Sequence, residues 1–68
     1  MSYHPNYFNA VVIVQSGQWV ARGLKYHNIM KSKTEKFEQF ARGIPGAHHI
    51  NYYEKKDGSF SHQVKLLT

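Results

Sequence analysis

The sequence contains no cysteine, so the chain can form neither a disulfide nor a cysteine-ligated zinc site. Its 68 residues leave room for one small domain. A folded chain of this size buries only about 60% of the surface that its unfolded form exposes, which limits its stability to a few kcal/mol without a partner. We therefore expect a single domain over residues 1–68, with residues 1–6 as a flexible lead-in.

Acidic residues are scarce and unevenly distributed. The chain has four acidic residues (Asp plus Glu) and nine basic residues (Lys plus Arg), which gives a formal net charge of +5. All four acidic residues lie after position 34. An excess of positive charge speeds association with anionic partners such as nucleic acid, acidic protein or anionic membrane surfaces, but it does not choose among them. The positive charge serves either to bind an anionic partner or only to keep the protein soluble.

Long apolar runs are also absent. The longest covers residues 10–14, which is far short of a membrane span or of a signal-peptide core, and Met1 is followed by polar residues. The lack of cysteine fits a reducing compartment. We expect a soluble, cytoplasmic protein without a membrane partner.

Two segments in the first half of the chain have the composition of β-strands. Residues 7–14 are rich in β-branched and aromatic side chains, and residues 19–26 resume that composition after a break. These segments predict a β-hairpin that turns at Ser16 and Gly17, followed by a connection over residues 27–31.

Residues 33–42 are predicted to form a helix of about three turns. Ser32 and Glu35 have capping-box spacing, in which each side chain accepts a hydrogen bond from the backbone amide of the other residue. Gly43 is predicted to adopt a left-handed conformation after the helix, and Pro45 prevents its continuation. Apolar side chains recur at helical spacing at Phe37, Phe40, Ala41 and Ile44.

Residues 48–67 predict a second hairpin around a turn at 55–58. A two-residue loop at 57–58 would put Ile50 on the same side as Lys65. A type I turn with a left-handed Gly58 in a bulge separates apolar from polar residues, so this register is preferred. It places the apolar residues of the hairpin on one face: Ile50, Tyr52, Phe60, Val64 and Leu66.

Together these elements predict an α+β fold in ββαββ order, a four-stranded antiparallel sheet with one helix on one face. In the first hairpin, alternation predicts a core face that comprises Phe8, Ala10, Val12, Val14, Trp19, Ala21 and Gly23. A single short helix cannot cover both faces of the sheet, so the other face meets water or a partner.

That uncovered face is the predicted functional surface, because tyrosine and arginine are enriched in binding surfaces. It would also carry Leu24, His49 and Gln63 around an apolar patch of Val11, Ile13 and Val20. The alternative is that this patch only packs beneath the Tyr and Arg side chains of a solvated face. The predicted partner-binding residues are Tyr7, Asn9, Arg22, Tyr26, Lys31, Lys33, Asn51, Tyr53 and Lys65.

No pattern in the sequence specifies a reaction, a metal or a cofactor. His48 and His49 are adjacent, but neighbouring strand residues point to opposite faces and are not expected to ligate one ion. His62 would share a face with His48, without a cysteine or carboxylate between them. The acidic residues do not pair in a predicted cleft, and no glycine-rich phosphate loop precedes the helix. We predict a non-enzyme that uses no cofactor and no metal.

Three kinds of partner are compatible with these residues. A non-catalytic inhibitor or adaptor would use the uncovered face to occlude a protein or ribonucleoprotein complex. A direct nucleic-acid-binding module would stack bases on the aromatic residues and neutralise phosphates with nearby lysine and arginine. A symmetric homodimer would bury the apolar patch. No helix-turn-helix, zinc-finger or ribonucleoprotein motif favours the second kind.

Several short motifs occur in an order that resembles a known family. They are NYFN at 6–9, Gly17, AR at 21–22, TE at 34–35, Glu38 and GIPG at 43–46. This order resembles that of the small phage-encoded type I-F anti-CRISPR proteins. The resemblance implies a β-sheet with helices packed on it and a function as an inhibitor that binds the backbone subunits of the guide-RNA surveillance complex. The leading hypothesis is therefore a phage or mobile-element inhibitor.

Overall fold

The computed structural model describes residues 6–15 and 21–66. In chain order these form β1 (Tyr7–Gln15), β2 (Ala21–Met30), a 3-10 turn (Lys31–Lys33), α1 (Thr34–Arg42), β3 (Ala47–Glu54) and β4 (Phe60–Lys65). The strands build one four-stranded antiparallel sheet in the order β2-β1-β3-β4. The predicted α+β class and ββαββ order are confirmed. The turn predicted at Ser16 and Gly17 lies outside the described residues, as do Trp19 and Val20.

The hydrophobic core lies between α1 and one face of the sheet. Alternate residues of β1 and β3 point to this face, and α1 contacts β2 and β3 above them. Ala10 and Ala41 are fully buried, as close approach of a helix to a sheet requires. The core residues are Phe8, Ala10, Val12, Phe37, Ala41, Ala47, Ile50, Tyr52 and Leu66. Within the described ranges, no helix is both long and apolar enough to cross a membrane.

β2 is longer than predicted. Its pairing with β1 continues to Met30, which lies opposite Tyr7, so the connection predicted from residue 27 onwards is wrong. The backbone amide of Lys31 then donates a hydrogen bond to the carbonyl of Asn6 at 2.8 Å. Pairing with the whole length of β1 outweighs the modest strand propensity of the polar residues in this segment.

A β-bulge in β2 reverses the predicted faces of the beginning of that strand. Residues 24–25 together oppose a single residue of β1, so Gly23 pairs with Ile13 and Arg22 pairs with Val14. Arg22 and Leu24 therefore lie on the helix side of the sheet and Gly23 on the other side, contrary to the prediction. One extra residue shifts the period-two alternation, and the sequence pattern does not show where this occurs.

α1 ends at Arg42 as predicted and begins one residue later than predicted, but the caps predicted at its two ends differ from the structure. Ser32 lies within the 3-10 turn and therefore lacks the extended backbone that an N-cap residue adopts. No side chain caps α1. The predicted capping box between Ser32 and Glu35 is therefore wrong. Gly43 has a right-handed backbone with φ of −83°, and the left-handed glycine of this connection is Gly46, with φ of 80°.

The turn between β3 and β4 follows the preferred register near the core. Gly58 is left-handed as predicted, with φ of 77°, and its amide donates to the carbonyl of Glu54 at 2.7 Å. Ile50 pairs with Val64, so both contribute to the apolar face of the hairpin. This part of the prediction is confirmed.

Phe60 does not lie on the predicted core face. Ser61 is an extra residue in β4, so the strand shifts by one position and Phe60 pairs with Tyr53. His62 lies on the helix side opposite Tyr52, and its ring stacks on that of Tyr52 with the centroids 4.7 Å apart. The side chain of Phe60 is consequently exposed on the other face.

Candidate functional site

The candidate functional site is the face of the sheet opposite α1, which we call the open face. Strand pairing brings residues of all four strands together on it. Its members include Tyr7, Asn9, Val11, Ile13, Gly23, Tyr26, Asn28, Met30, His49, Asn51, Tyr53, Phe60, Gln63 and Lys65.

Three aromatic side chains form a continuous row across the open face. This aromatic ridge consists of Tyr26 on β2, Tyr53 on β3 and Phe60 on β4. The ring centroids of Tyr26 and Tyr53 are 5.9 Å apart, and those of Tyr53 and Phe60 are 5.6 Å apart. Because β1 lies between β2 and β3, the two tyrosine rings meet above β1. Tyr26 and Phe60 are 60% and 57% exposed, so the ridge presents aromatic surface to a partner.

Val11 supports the aromatic ridge from beneath. It pairs with Tyr26 on one side and Asn51 on the other, and only 5% of it is exposed although α1 lies on the opposite face. A Cβ atom on Gly23 would lie 2.9 Å from Cγ2 of Val11, so the absence of a side chain there leaves space for the valine. Val11 therefore belongs to a layer under the ridge and not to the accessible patch that the sequence predicted.

The open face carries little charge. Among the strand residues of this face, Lys65 is the one side chain with a full charge at neutral pH, and it lies on the edge strand β4. Lys55 follows β3 at the end of the face, where its backbone amide donates to the carbonyl of Tyr7 at 3.3 Å. Amide side chains occupy much of the remaining area, at Asn9, Asn28, Asn51 and Gln63. This face can thus offer aromatic contacts and neutral hydrogen-bonding groups to a partner.

His48 and His49 make a contact that simple alternation excludes. His48 is the extra residue of a bulge in β3, and the Nδ1 atoms of the two rings are 2.8 Å apart. One ring must donate and the other accept, so at least one of them is neutral in this arrangement. Burial and the neighbouring His48 lower the pKa of His49. The described residues contain no group of three or more side chains that could hold a metal ion.

The structure separates the predicted partner-binding residues into two groups. The open face holds Tyr7, Asn9, Tyr26, Asn51, Tyr53 and Lys65. Arg22 is exposed on the helix side instead. The Nζ atom of Lys31 lies 2.9 Å from Oε1 of Glu54 and 4.9 Å from the ring centroid of Phe8, also on the helix side. Lys33 is exposed in the 3-10 turn before α1.

Besides Gly23, which the bulge at 24–25 moved to this face, three residues of the open face are absent from the sequence-based prediction. Asn28 and Met30 were missed because β2 was predicted to end at Tyr26, although continued alternation from that tyrosine would place both on this face. Phe60 was missed because of the bulge at Ser61.

The described residues enclose no pocket, so the candidate site is a surface and not a cleft. Comparison of the chain with protein-family models, curated proteins and solved structures finds no match. The open face itself is therefore the basis for a functional proposal.

Proposed function

We propose that the chain is a non-catalytic binding protein whose open face occludes a surface of a protein or ribonucleoprotein complex. The observation that carries this proposal is the aromatic ridge of Tyr26, Tyr53 and Phe60. The rings contact one another at 5.6 and 5.9 Å, which restricts their motion before any partner binds. Restricted aromatic side chains lose little conformational entropy on binding, and tyrosine is enriched among the residues that dominate interface energies.

The distribution of charge favours a protein partner for this face. Sheets that bind nucleic acid combine stacked aromatic rings with cations that neutralise phosphates. Here Lys65 is the one cation among the strand residues of the open face and Lys55 lies at its end, whereas amides surround the aromatic ridge. Charged residues are depleted at the centres of protein interfaces, and a peripheral lysine is compatible with the polar rim of one.

The resemblance to type I-F anti-CRISPR proteins gives the proposal a specific form. The occluded target would be the guide-RNA surveillance complex, and the chain would act as a phage or mobile-element inhibitor in the host cytoplasm. A standard protein interface covers about 800 Å² of each partner. The accessible surface of the chain is 4834 Å², so such an interface is compatible with one face of the sheet.

The double variant Tyr26→Ala and Phe60→Ala tests this function. Both rings are more than half exposed, so their truncation leaves the core intact. Binding to a purified type I-F surveillance complex would be measured by interferometry, with capture from a host lysate to identify other targets. We expect the double variant to weaken binding at least about tenfold, as the loss of one dominant interface residue does.

A matched control is the double variant Glu35→Ala and Gln39→Ala on the exposed side of α1. It should bind as tightly as the wild type. Equal affinity for a folded Tyr26 and Phe60 double variant would contradict the proposal. Light scattering provides the second check, because a mass twice the chain's 7.9 kDa that depends on the ridge would assign the open face to a homodimer.

A further inference from the structure

A cluster of basic side chains lies beside β2 and α1, away from the open face. We call this region the basic flank, formed by the helix side of β2 and the adjoining side of α1. Its cations are exposed, and so is one aromatic ring, that of Phe40, which is 58% exposed. The cations of the basic flank are Arg22, Lys25, Lys33 and Lys36.

Phe40 establishes which side of the helix adjoins β2. Its ring centroid lies 6.4 Å from that of His27 on β2 and 6.0 Å from that of Phe37, which in turn lies 5.1 Å from His27. Lys36 and Phe40 are four residues apart on α1, so they share one side of the helix, and Lys33 lies in the 3-10 turn that leads from β2 into α1. The two lysines therefore lie on the side that faces β2.

No carboxylate belongs to the basic flank within the described ranges. Glu38 is hydrogen-bonded to β3 at 3.0 Å, and Glu54 is ion-paired at 2.9 Å with the residue that follows β2. Asp57 lies in the turn between β3 and β4, at the opposite edge of the sheet. Glu35 is offset by about 140° around the helix axis from Phe40. The positive charges of the flank are thus not neutralised by nearby acids.

The arrangement of these cations fits a linear polyanion. Arg22 and Lys25 are separated by about 10 Å of extended strand, and Lys33 and Lys36 continue along the helix. β2 is an edge strand, and no other strand of the described residues pairs with its outer side. Cations that neutralise successive phosphates, together with an exposed ring that stacks on a base, are the combination that binds single-stranded nucleic acid. Every nucleotide carries a base that can stack on Phe40, whereas an acidic protein offers an aromatic ring only where its own sequence supplies one.

We propose that the basic flank binds single-stranded nucleic acid, with phosphates at Arg22, Lys25, Lys33 and Lys36 and a base on Phe40. This binding is independent of the function of the open face. On a ribonucleoprotein target, the open face would contact protein while the basic flank contacts exposed nucleic acid.

Fluorescence anisotropy with labelled oligouridylate and oligothymidylate tests the proposal on the purified chain. Four phosphate contacts predict that the logarithm of the binding constant falls with the logarithm of the salt concentration with a slope of about −2.8. This slope corresponds to a loss of about 50-fold in affinity between about 50 and 200 mM salt. Phe40→Leu should weaken binding about fivefold or more without changing this slope, because stacking on a ring does not release counterions.

Two triple variants with equal charge separate a local site from the net charge of the chain. Lys25→Ala, Lys33→Ala and Lys36→Ala together should weaken binding more than about tenfold and reduce the salt slope to about −0.7. The control replaces Lys55, Lys56 and Lys65 by alanine and removes the same charge elsewhere. It should keep the wild-type slope and an affinity within about threefold. All six lysines have accessible side chains, and circular dichroism would verify folding.

The proposal would be overturned by no oligonucleotide binding at low salt, by equal losses in the two triple variants, by an unchanged affinity in the Lys25, Lys33 and Lys36 variant, or by tighter binding to polyglutamate than to either oligonucleotide. The last result would assign the flank to an acidic protein. The Tyr26→Ala and Phe60→Ala variant should bind the oligonucleotides like the wild type. Loss of binding in that variant would place the nucleic acid on the open face instead.

Discussion

The hydroxyl of Tyr52 donates a hydrogen bond to Oε2 of Glu38 at 3.0 Å and so joins the centre of β3 to α1. The ring of Tyr52 is fully buried, stacked on His62 and tilted against Phe8. Burial raises the pKa of Tyr52, and the hydrogen bond to Glu38 raises it further. A nine-residue helix has few contacts with which to hold its position, so this polar link between helix and sheet matters for stability.

Tyr52→Phe should lower the free energy of unfolding by about 1–2 kcal/mol, because it removes a hydrogen bond to a carboxylate and keeps the ring contacts. Urea denaturation followed by circular dichroism measures this change. Glu38→Gln retains an acceptor and should lose less. An unchanged urea midpoint for Tyr52→Phe would mean that water satisfies Glu38 equally well.

Gly46 and Gly58 should differ in their tolerance of alanine although both are left-handed. With φ of 80° and 77°, each substitution costs about 1 kcal/mol in backbone strain. A Cβ on Gly46 would also lie 3.0 Å from the backbone oxygen of Gln15, whereas Gly58 has no atom within 4 Å of that position. We expect Gly58→Ala to cost about 1 kcal/mol and Gly46→Ala about 2 kcal/mol or more. Equal urea midpoints for the two variants would contradict the steric part of this prediction.

The location of the strands and the helix was predictable because local composition and periodicity determine both. Strong β-branched runs such as residues 7–14 leave few alternatives, and the stripe that contains Phe37 and Ala41 fits only a helix. The left-handed Gly58 followed from the need to keep Ile50 and Val64 on one face.

The faces of individual residues were predictable only up to the bulges. Extra residues at 24–25 in β2, His48 in β3 and Ser61 in β4 each shift the alternation by one position. These shifts moved Arg22 to the helix side and Phe60 to the open face. A bulge depends on how two distant strands fit together, and a single sequence carries no local signal for that fit. The composition of the aromatic ridge is therefore a result of the tertiary structure.

Lys31 should contribute to stability and not to partner binding. Its ammonium group is ion-paired with Glu54 at 2.9 Å and lies over the ring of Phe8, with both charged side chains partly exposed. Lys31→Ala should lower the free energy of unfolding by about 0.5–1 kcal/mol, the usual range for an accessible pair with a cation-π contact. A double-mutant cycle with Glu54→Ala isolates the pair. A variant with wild-type stability and impaired partner binding would return Lys31 to the binding surface.

The pair of His48 and His49 should make the stability of the chain depend on pH. The folded protein lowers the pKa of His49 from its ordinary value of 6.5, first through burial and then through the charge of His48. The unfolded chain therefore binds more protons near that pH than the folded chain does. The stabilisation is present above about pH 6.5 and is lost as the pH falls toward the folded pKa. Lys65, which pairs with His49 on β4, adds a further positive charge on the same face.

His49→Gln should accordingly reduce the fall in melting temperature between about pH 7.5 and pH 5.5. The wild type would be compared with this variant by differential scanning calorimetry. Other groups titrate in the same pH interval, but their contributions to stability are common to both proteins and cancel in the difference. His48→Gln serves as the matched variant: it removes the neighbouring charge but not the burial, so it should reduce the fall only in part. If the wild type and His49→Gln lose stability in parallel between these pH values, then protonation of His49 is not coupled to folding.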